Sequence, residues 1–337
     1  MSGEHYLIIG NGPAGREAAI TLREKAPQSR VTVISKENVR CYQPHLLPQF
    51  IAGQVSEEEL FTLPFSFFKE RDIKLRLGQC VVDVDFHKSQ VTMAHKEIIP
   101  YTGLIIAVGG TPRIPERCHR YRDRMLTLKT LTDARMWAEK LQKVSSALIV
   151  GGDLTSFALT RTLLAMGKRV SFLLNEESLW PVRCDDQVFR EARVKLEQGG
   201  VEALRGTIQD IVRRSETSLE VTVDNKTFET GIVGAFYGLR PDVGFLAGSG
   251  LTIERGILVD EYLKTEVDNV YAAGDCAQVY HPGLKDYWVS IGYGNAENLG
   301  RIAASNLMGE KTPVETPQES ILCAEGVRVN TSWWLEF

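Results

Sequence analysis

The stretch His5-Tyr6-Leu7-Ile8-Ile9-Gly10-Asn11-Gly12-Pro13-Ala14-Gly15-Arg16-Glu17-Ala18-Ala19 constrains this chain more than any other. An apolar run of strand length leads into glycines at 10, 12 and 15 and then into a helical pattern. That is the strand–turn–helix setting a dinucleotide fingerprint requires. Gly10 permits the tight turn, Gly12 lets backbone approach a pyrophosphate, and Gly15 lets helix and strand pack closely. The diphosphate sits on the unpaired N–H groups at the positive end of the helix, beside Pro13 and Ala14. A tight βα turn without a ligand is the other reading of the same spelling.

The helix is expected to end before Pro27, and residues 30–35 read as a β-branched strand. In a doubly wound unit the acid that holds the adenosine ribose follows the glycines by about 20 residues. Here the strand ends at Ser35-Lys36-Glu37. Glu37 is either the ribose partner, with Ser35 as a smaller substitute, or a solvated loop charge. Prolines 44 and 48 exclude a simple long helix over 39–53. The aromatic and apolar content there suits a segment lying against a flat apolar ligand. A short amphipathic piece begins at Glu57, and the Phe-rich stretch 61–68 is expected to pack on the core. Strands are predicted at 73–77, 80–86 and 90–94. The run 101–112 reads as a buried strand ending in glycines. It puts Ala107, Val108 and Gly109 at the carboxyl edge of a parallel sheet, where nucleotides bind.

After a polar, arginine-rich connection (113–124) and a helix over about 131–143, the opening recurs. Ala147-Leu148-Ile149-Val150-Gly151-Gly152-Asp153-Leu154-Thr155-Ser156 leads through a helix to Met166-Gly167 and a strand at 169–174. Such an internal repeat predicts a second, inserted nucleotide-type domain. Its glycine positions hold Gly151, Asp153 and Ser156, and Asp153 would aim negative charge at a pyrophosphate. Gly151, Gly152, Asp153, Leu154, Glu176 and Gly238 are its candidate NAD(P) contacts. Either the domain binds a dinucleotide or it keeps the fold with a weak or vacant site. A helix over 185–198 and strands at 207–213, 218–224 and 226–230 close it as a β-meander.

A third segment, 259–277, ends a short strand in Gly274-Asp275, a carboxylate placed to grip a polyol hydroxyl, followed by a helix over 292–308. With 337 residues, 43% of them hydrophobic, the chain has length for two or three domains. A net charge of −4 without a basic stripe gives no case for nucleic acid. There is no signal-peptide pattern and no apolar run long enough for a bilayer. Six scattered cysteines without a CxxC pair encode no local redox disulfide and no metal site. They read as reduced thiols in a cytoplasmic protein.

Gly10–Gly15, Thr102–Gly109 and Thr265–Asp275, in that order, resemble the three FAD-contacting signatures of the FAD/NAD(P)-dependent pyridine nucleotide oxidoreductases. Within these two-dinucleotide-binding-domain flavoproteins, the likeness is greatest to the branch of rubredoxin reductase, ferredoxin reductases and the nitrite reductase flavin domain. Tyr42-(x)3-Leu46-Leu47-Pro48 and Ile51-Ala52-Gly53 are similar to the flavin-side segment of the rubredoxin reductase branch.

The resemblance implies an α/β fold with two Rossmann-like domains of three-layer ββα type, the second inserted in the first. Residues 1–115 and 241–310 would form the FAD domain and 116–240 the NAD(P)-binding-like insert. Residues 311–337 would be a short tail in place of most of the family's C-terminal interface domain. FAD would lay its pyrophosphate on Gly12–Gly15 and its adenosine near Ser35, Lys36, Glu37 and Val81. Its flavin would pack by Pro44, His45, Leu46 and Leu47, and its ribityl chain would be held by Gly274, Asp275 and Ala277. His45 stands where cysteine-using relatives carry a redox cysteine. It either polarises or protonates reduced flavin or is a structural histidine, while Cys41 is expected to be a packed or surface thiol.

The function so implied is FAD-dependent electron transfer between NAD(P)H and a downstream carrier protein. The alternative is an FAD-carrying subunit of a larger redox complex with weak or no NAD(P)H binding of its own.

Overall fold

The computed structural model of the chain describes residues 3–174, 186–289, 292–315, 321–324 and 327–330. They divide into two compact units. The first is drawn from the described parts of 3–43, 61–111 and 240–315, the second from 44–60 and 112–239 with 321–324 and 327–330.

The first unit is built on five parallel strands in the spatial order Val270–Ala272, Gly103–Ile106, His5–Ile9, Arg30–Ile34, Ile73–Arg76. All five residues of His5–Ile9 are buried, as expected of a central strand covered on both faces. Helices Pro13–Lys25 and Tyr293–Leu307 and the antiparallel meander Val81–Asp85, Gln90–Met93, Ile98–Pro100 complete one core, from Leu7, Ile8 and Leu22 to Val84, Met93 and Ile302. The two helices approach closely because Gly300 has no side chain: a Cβ there would meet the Ala14 carbonyl oxygen at 2.1 Å. Phe68 joins this core, whereas Phe65 is exposed.

The second unit repeats the plan. Its parallel sheet runs Glu202–Arg205, Arg169–Leu174, Ser146–Val150, Ile232–Ala235, Met125–Leu126. A meander of Ile208–Arg213, Leu219–Val223 and Lys226–Thr230 packs on it through Ile211, Val221, Leu148 and Val233. Elsewhere Phe157 stacks on Phe172 with centroids 5.2 Å apart. Gly234 leaves room for the fully buried Trp137, whose indole donates to Thr127 O at 3.0 Å.

The arginine-rich connection is more ordered than its composition indicated. Glu116–Arg124 forms 3-10 turns, and Arg120 and Arg124 donate to the Gln209 and Ile211 carbonyls of the meander. Residues 44–60 also group with this unit, where the sequence reading had them in segment 1–115. Leu47, Ile51 and Leu60 are buried, and Glu57 pairs with Arg135 on helix Leu131–Leu141 at 2.5 Å.

His5 carries a pH dependence for the first unit. Its buried ring donates from Nδ1 to Pro100 O at 2.8 Å and accepts from the Thr32 hydroxyl at Nε2, 3.0 Å. Burial, aided by the Arg30 charge, holds its pKa below the usual 6.5. Folding thus favours the neutral ring, so the stability it contributes is present above 6.5 and is lost as pH falls through the depressed folded value. The melting temperature should fall more steeply from pH 7 to 5 in the native chain than in His5→Gln; equal slopes would refute this.

Candidate functional site

The first glycine turn is shaped by close contacts on two sides. Gly10 has φ +115, and a Cβ on it would meet the Ala107 carbonyl oxygen at 2.1 Å. A Cβ on Gly15 would lie 1.9 Å from the Gly10 carbonyl oxygen. Both positions therefore exclude a side chain. Gly12 is different: no atom lies within 4 Å of a Cβ built there. It is the N-cap of helix Pro13–Lys25, with no side-chain cap and no acidic residue in the first turn. The space beside Gly12 is thus open, and no first-turn side chain opposes the helix dipole.

Beside them the Asn11 side chain is buried. Its Nδ2 donates to Val39 O at 3.3 Å, while Oδ1 has no hydrogen-bond partner. A buried amide oxygen in that state lacks a donor that a bound group can supply.

Gly274, with φ +76, comes against this turn: a Cβ on it would be 3.1 Å from that of Ala14. Asp275, half-buried, follows in a single 3-10 turn, and Ala277 begins the buried strand Ala277–His281. Ala107 donates to Ile9 O at 2.8 Å, and Gly109, with φ +64, accepts from Asp242 N at 3.2 Å. Val108 is half-buried between them. The structure thus brings together the strand ends carrying Gly10, Gly12, Pro13, Ala14, Gly15, Ala107–Gly109 and Gly274–Ala277.

At the end of the second strand, Ser35 is buried and continues the sheet through Arg76 O and Gln79 N. Lys36 is exposed, 3.6 Å from Asp242. Glu37 is half-buried and accepts the Tyr42 hydroxyl at 3.0 Å. Val81 is buried at the start of its strand.

Pro44–Leu46 is one 3-10 turn of the second unit, with His45 exposed and Pro44 and Leu46 half-buried. Cys41 is buried, and burial pushes its thiol up to about 11 against the opposing pull of the Arg16 guanidinium. Cys276 is likewise pushed up to about 11 by burial. Cys41, Cys80, Cys118 and Cys276 are not joined in disulfides. Among the described residues, no cluster of His, Cys, Asp or Glu could hold a metal ion, and no helix is long and apolar enough to cross a membrane.

Arg16 is a residue that sequence reasoning missed. It is 5% exposed, bonded to Glu17, to Glu297 and to the Tyr293 hydroxyl, and ties helix Pro13–Lys25 to helix Tyr293–Leu307 one turn from Gly12. A charged residue on the apolar face of an otherwise Ala-rich helix was the signal.

The second turn is closed where the first is open. Asp153 caps helix Leu154–Ala165, accepting from Ser156 N at 2.8 Å. The Ser156 hydroxyl donates to Asp153 O at 2.7 Å and accepts from Gly152 N at 3.0 Å. Gly151 donates to Leu173 O at 3.2 Å. Burial pushes the Asp153 carboxyl up to about 6. Gly238, with φ +83, accepts from Arg113 N. Glu176 lies outside the described residues.

Residues 4–294 match the family model described as pyridine nucleotide-disulphide oxidoreductase. A relative from Escherichia coli O139:H28, the nitric oxide reductase FlRd-NAD(+) reductase, is 27% identical over 92% of this chain and 81% of its own length. The NADH:rubredoxin oxidoreductase of Clostridium acetobutylicum superposes with a TM-score of 0.76 at 23% identity, over 94% of this chain and 78% of that one. The ferredoxin reductase of the CYP199A2 system from Rhodopseudomonas palustris gives 0.83 at 22%, over 93% and 78%. These two likenesses establish the fold.

Proposed function

The chain belongs to the pyridine nucleotide-disulphide oxidoreductase family, and we propose that it is an FAD-dependent reductase that passes electrons from NAD(P)H to a protein electron carrier. The observation that carries this reading is the uncapped helix terminus at Gly12, open above and flanked by the orphaned Asn11 oxygen. Those features fit a diphosphate. The disulphide in the family's description has no counterpart among the described cysteines, which favours a route through flavin without a thiol relay.

In this reading, the first unit holds the FAD and the part of the second drawn from 112–239 receives the nicotinamide nucleotide. The backbone N–H groups of Ala14 and Gly15 receive the diphosphate, with Gly12 giving it room to approach and Pro13, which has no N–H to donate, lining the turn. Asp275 binds a ribityl hydroxyl, and Glu37, already oriented by Tyr42, binds the adenosine ribose. Ser35, Lys36 and Val81 line the adenosine side. Pro44, His45 and Leu46 lie on the flavin side. FAD, when bound, supplies a two-electron hydride acceptor that can give up electrons singly. The relatives' names, which couple NAD or NADH to a flavorubredoxin or a rubredoxin, support a small redox protein as acceptor. Cys41, Cys80, Cys118 and Cys276, outside any disulfide, support a reducing, cytoplasmic setting.

The test is anaerobic. FAD-loaded protein mixed with NADH or NADPH should lose its flavin absorbance, and regain it when a rubredoxin- or ferredoxin-type carrier is added. Bleaching without reoxidation by any carrier, or a failure to take up FAD, would refute the proposal. A flavin that resists both nucleotides yet is reduced chemically would favour a subunit that receives its electrons from a partner.

A further inference from the structure

We infer that Asp153 and Ser156 act as a built-in block on nucleotide-diphosphate binding at the second helix terminus, setting this chain's affinity for NAD(P)H low. The inference rests on the reading of this unit as the nicotinamide-nucleotide domain.

Its basis is the contrast between two copies of one supersecondary plan in a single chain. In the first copy the N-cap is a glycine that makes no side-chain bond, and the first turn holds no acid. In the second, the amides that a diphosphate would use are consumed internally. Ser156 N is held by the Asp153 carboxylate and Gly152 N by the Ser156 hydroxyl, at 2.8 and 3.0 Å. That hydroxyl is locked in turn by Asp153 O at 2.7 Å, and Ser156 is fully buried. A side chain fits at 156 because Gly151 faces it: a Cβ on Gly151 would meet the Ser156 Cβ at 2.6 Å.

An incoming diphosphate therefore meets a negative charge and no free donor at these two amides, and must break the cap to gain them. The Asp153 carboxyl is pushed up to about 6 by burial, so it is ionised at pH 7.5.

ADP-ribose is the probe, because it carries the adenosine diphosphate portion of the nucleotide and undergoes no redox step. Its binding to the FAD-loaded protein at pH 7.5 would be measured by calorimetry in the native chain, in Asp153→Asn and in Asp153→Gly/Ser156→Ala. Asparagine keeps the cap without the charge, and glycine is tolerated at an N-cap. The double variant should bind at least about 100-fold tighter (about 2.8 kcal/mol) and Asp153→Asn, which removes the charge but keeps the cap, at least about tenfold tighter. Adenosine, lacking the diphosphate, should bind all three alike.

Equal or weaker ADP-ribose binding in Asp153→Asn, with an unchanged melting temperature, would overturn the inference. So would an equal gain for adenosine. If the double variant fails to fold, Asp153→Asn alone decides. Because the readout requires no flavin reduction, loss of the reductase reading leaves this result interpretable. Conversely, rapid bleaching by NADH together with unaltered ADP-ribose affinity in the variants would refute the block alone.

Discussion

Gly12→Asp should give a protein that folds as the native chain does but no longer retains FAD. Position 12 has φ −78 and ψ −172, extended backbone that any residue adopts, and a Cβ there meets nothing within 4 Å. Aspartate is among the preferred N-caps, so the FAD-free protein should keep its stability or gain about a few tenths of a kcal/mol. The added carboxylate would face the diphosphate from the helix terminus. Two unit charges at about 4 Å and an effective dielectric of 20 repel by about 4 kcal/mol, so FAD affinity should fall by at least about 100-fold. Flavin retained on dialysis against FAD, beside the circular dichroism spectrum and melting curve, separates the two effects. Retention of stoichiometric flavin by Gly12→Asp would exclude this helix terminus as the diphosphate site. Gly10 and Gly15 allow no such separation, because a Cβ at either would sit about 2 Å from a carbonyl oxygen.

Replacing Arg16 by leucine should cost about 3 kcal/mol. The guanidinium, almost wholly buried, faces Glu17 and Glu297, whose side chains are 17% and 22% exposed. Removing one partner of a buried pair leaves charge uncompensated, a loss of about 3–5 kcal/mol when burial is complete. The partial exposure of both carboxylates puts the expectation at the lower end. At about 2.1 cal/mol/K of unfolding entropy per residue, that is a drop of about 4 °C in the melting temperature of a 337-residue chain. Adding Glu297→Gln to Arg16→Leu should recover part of it, since the orphaned acid is then neutral. A double-mutant cycle reads the coupling directly. Additive effects would show that Arg16 serves by packing alone.

Long periodic elements and glycine turns were legible in the sequence because their signals are local. Helix Pro13–Lys25 ends before Pro27, and strand Arg169–Leu174 falls where its apolar run predicts. Short edge and return strands were not legible. Met125–Leu126 has two residues and no period to detect, and Ile232–Ala235 is a four-residue strand to which the sequence reading assigned no element. Strand Ala277–His281 pairs with Ile257–Val259 on one side and with Asp286–Val289 on the other, contacts that sequence spacing does not announce. At the site, the glycines and Asp275 were readable from motif spacing. The orphaned Asn11 oxygen and the bridge from Arg16 to Glu297 were not, since each depends on what a distant segment does or does not offer. Asp153 was read as an electrostatic misfit. Its tie to Ser156 gives that misfit a geometry.

Strand Gly103–Ile106 is flanked on one side by His5–Ile9 and on the other by Val270–Ala272. Its second neighbour leaves the ribosome more than 160 residues after it does. At about 5–20 residues per second that interval is roughly 10–30 s. Throughout it, the buried strand Gly103–Ile106 has one side of Leu104–Ile106 unpaired, an open template for a neighbouring polypeptide. The intervening sheet, from Met125 to Ala235, can meanwhile close from contiguous chain. Synthesis of this protein thus carries a timed aggregation hazard, confined to the period before Val270 emerges.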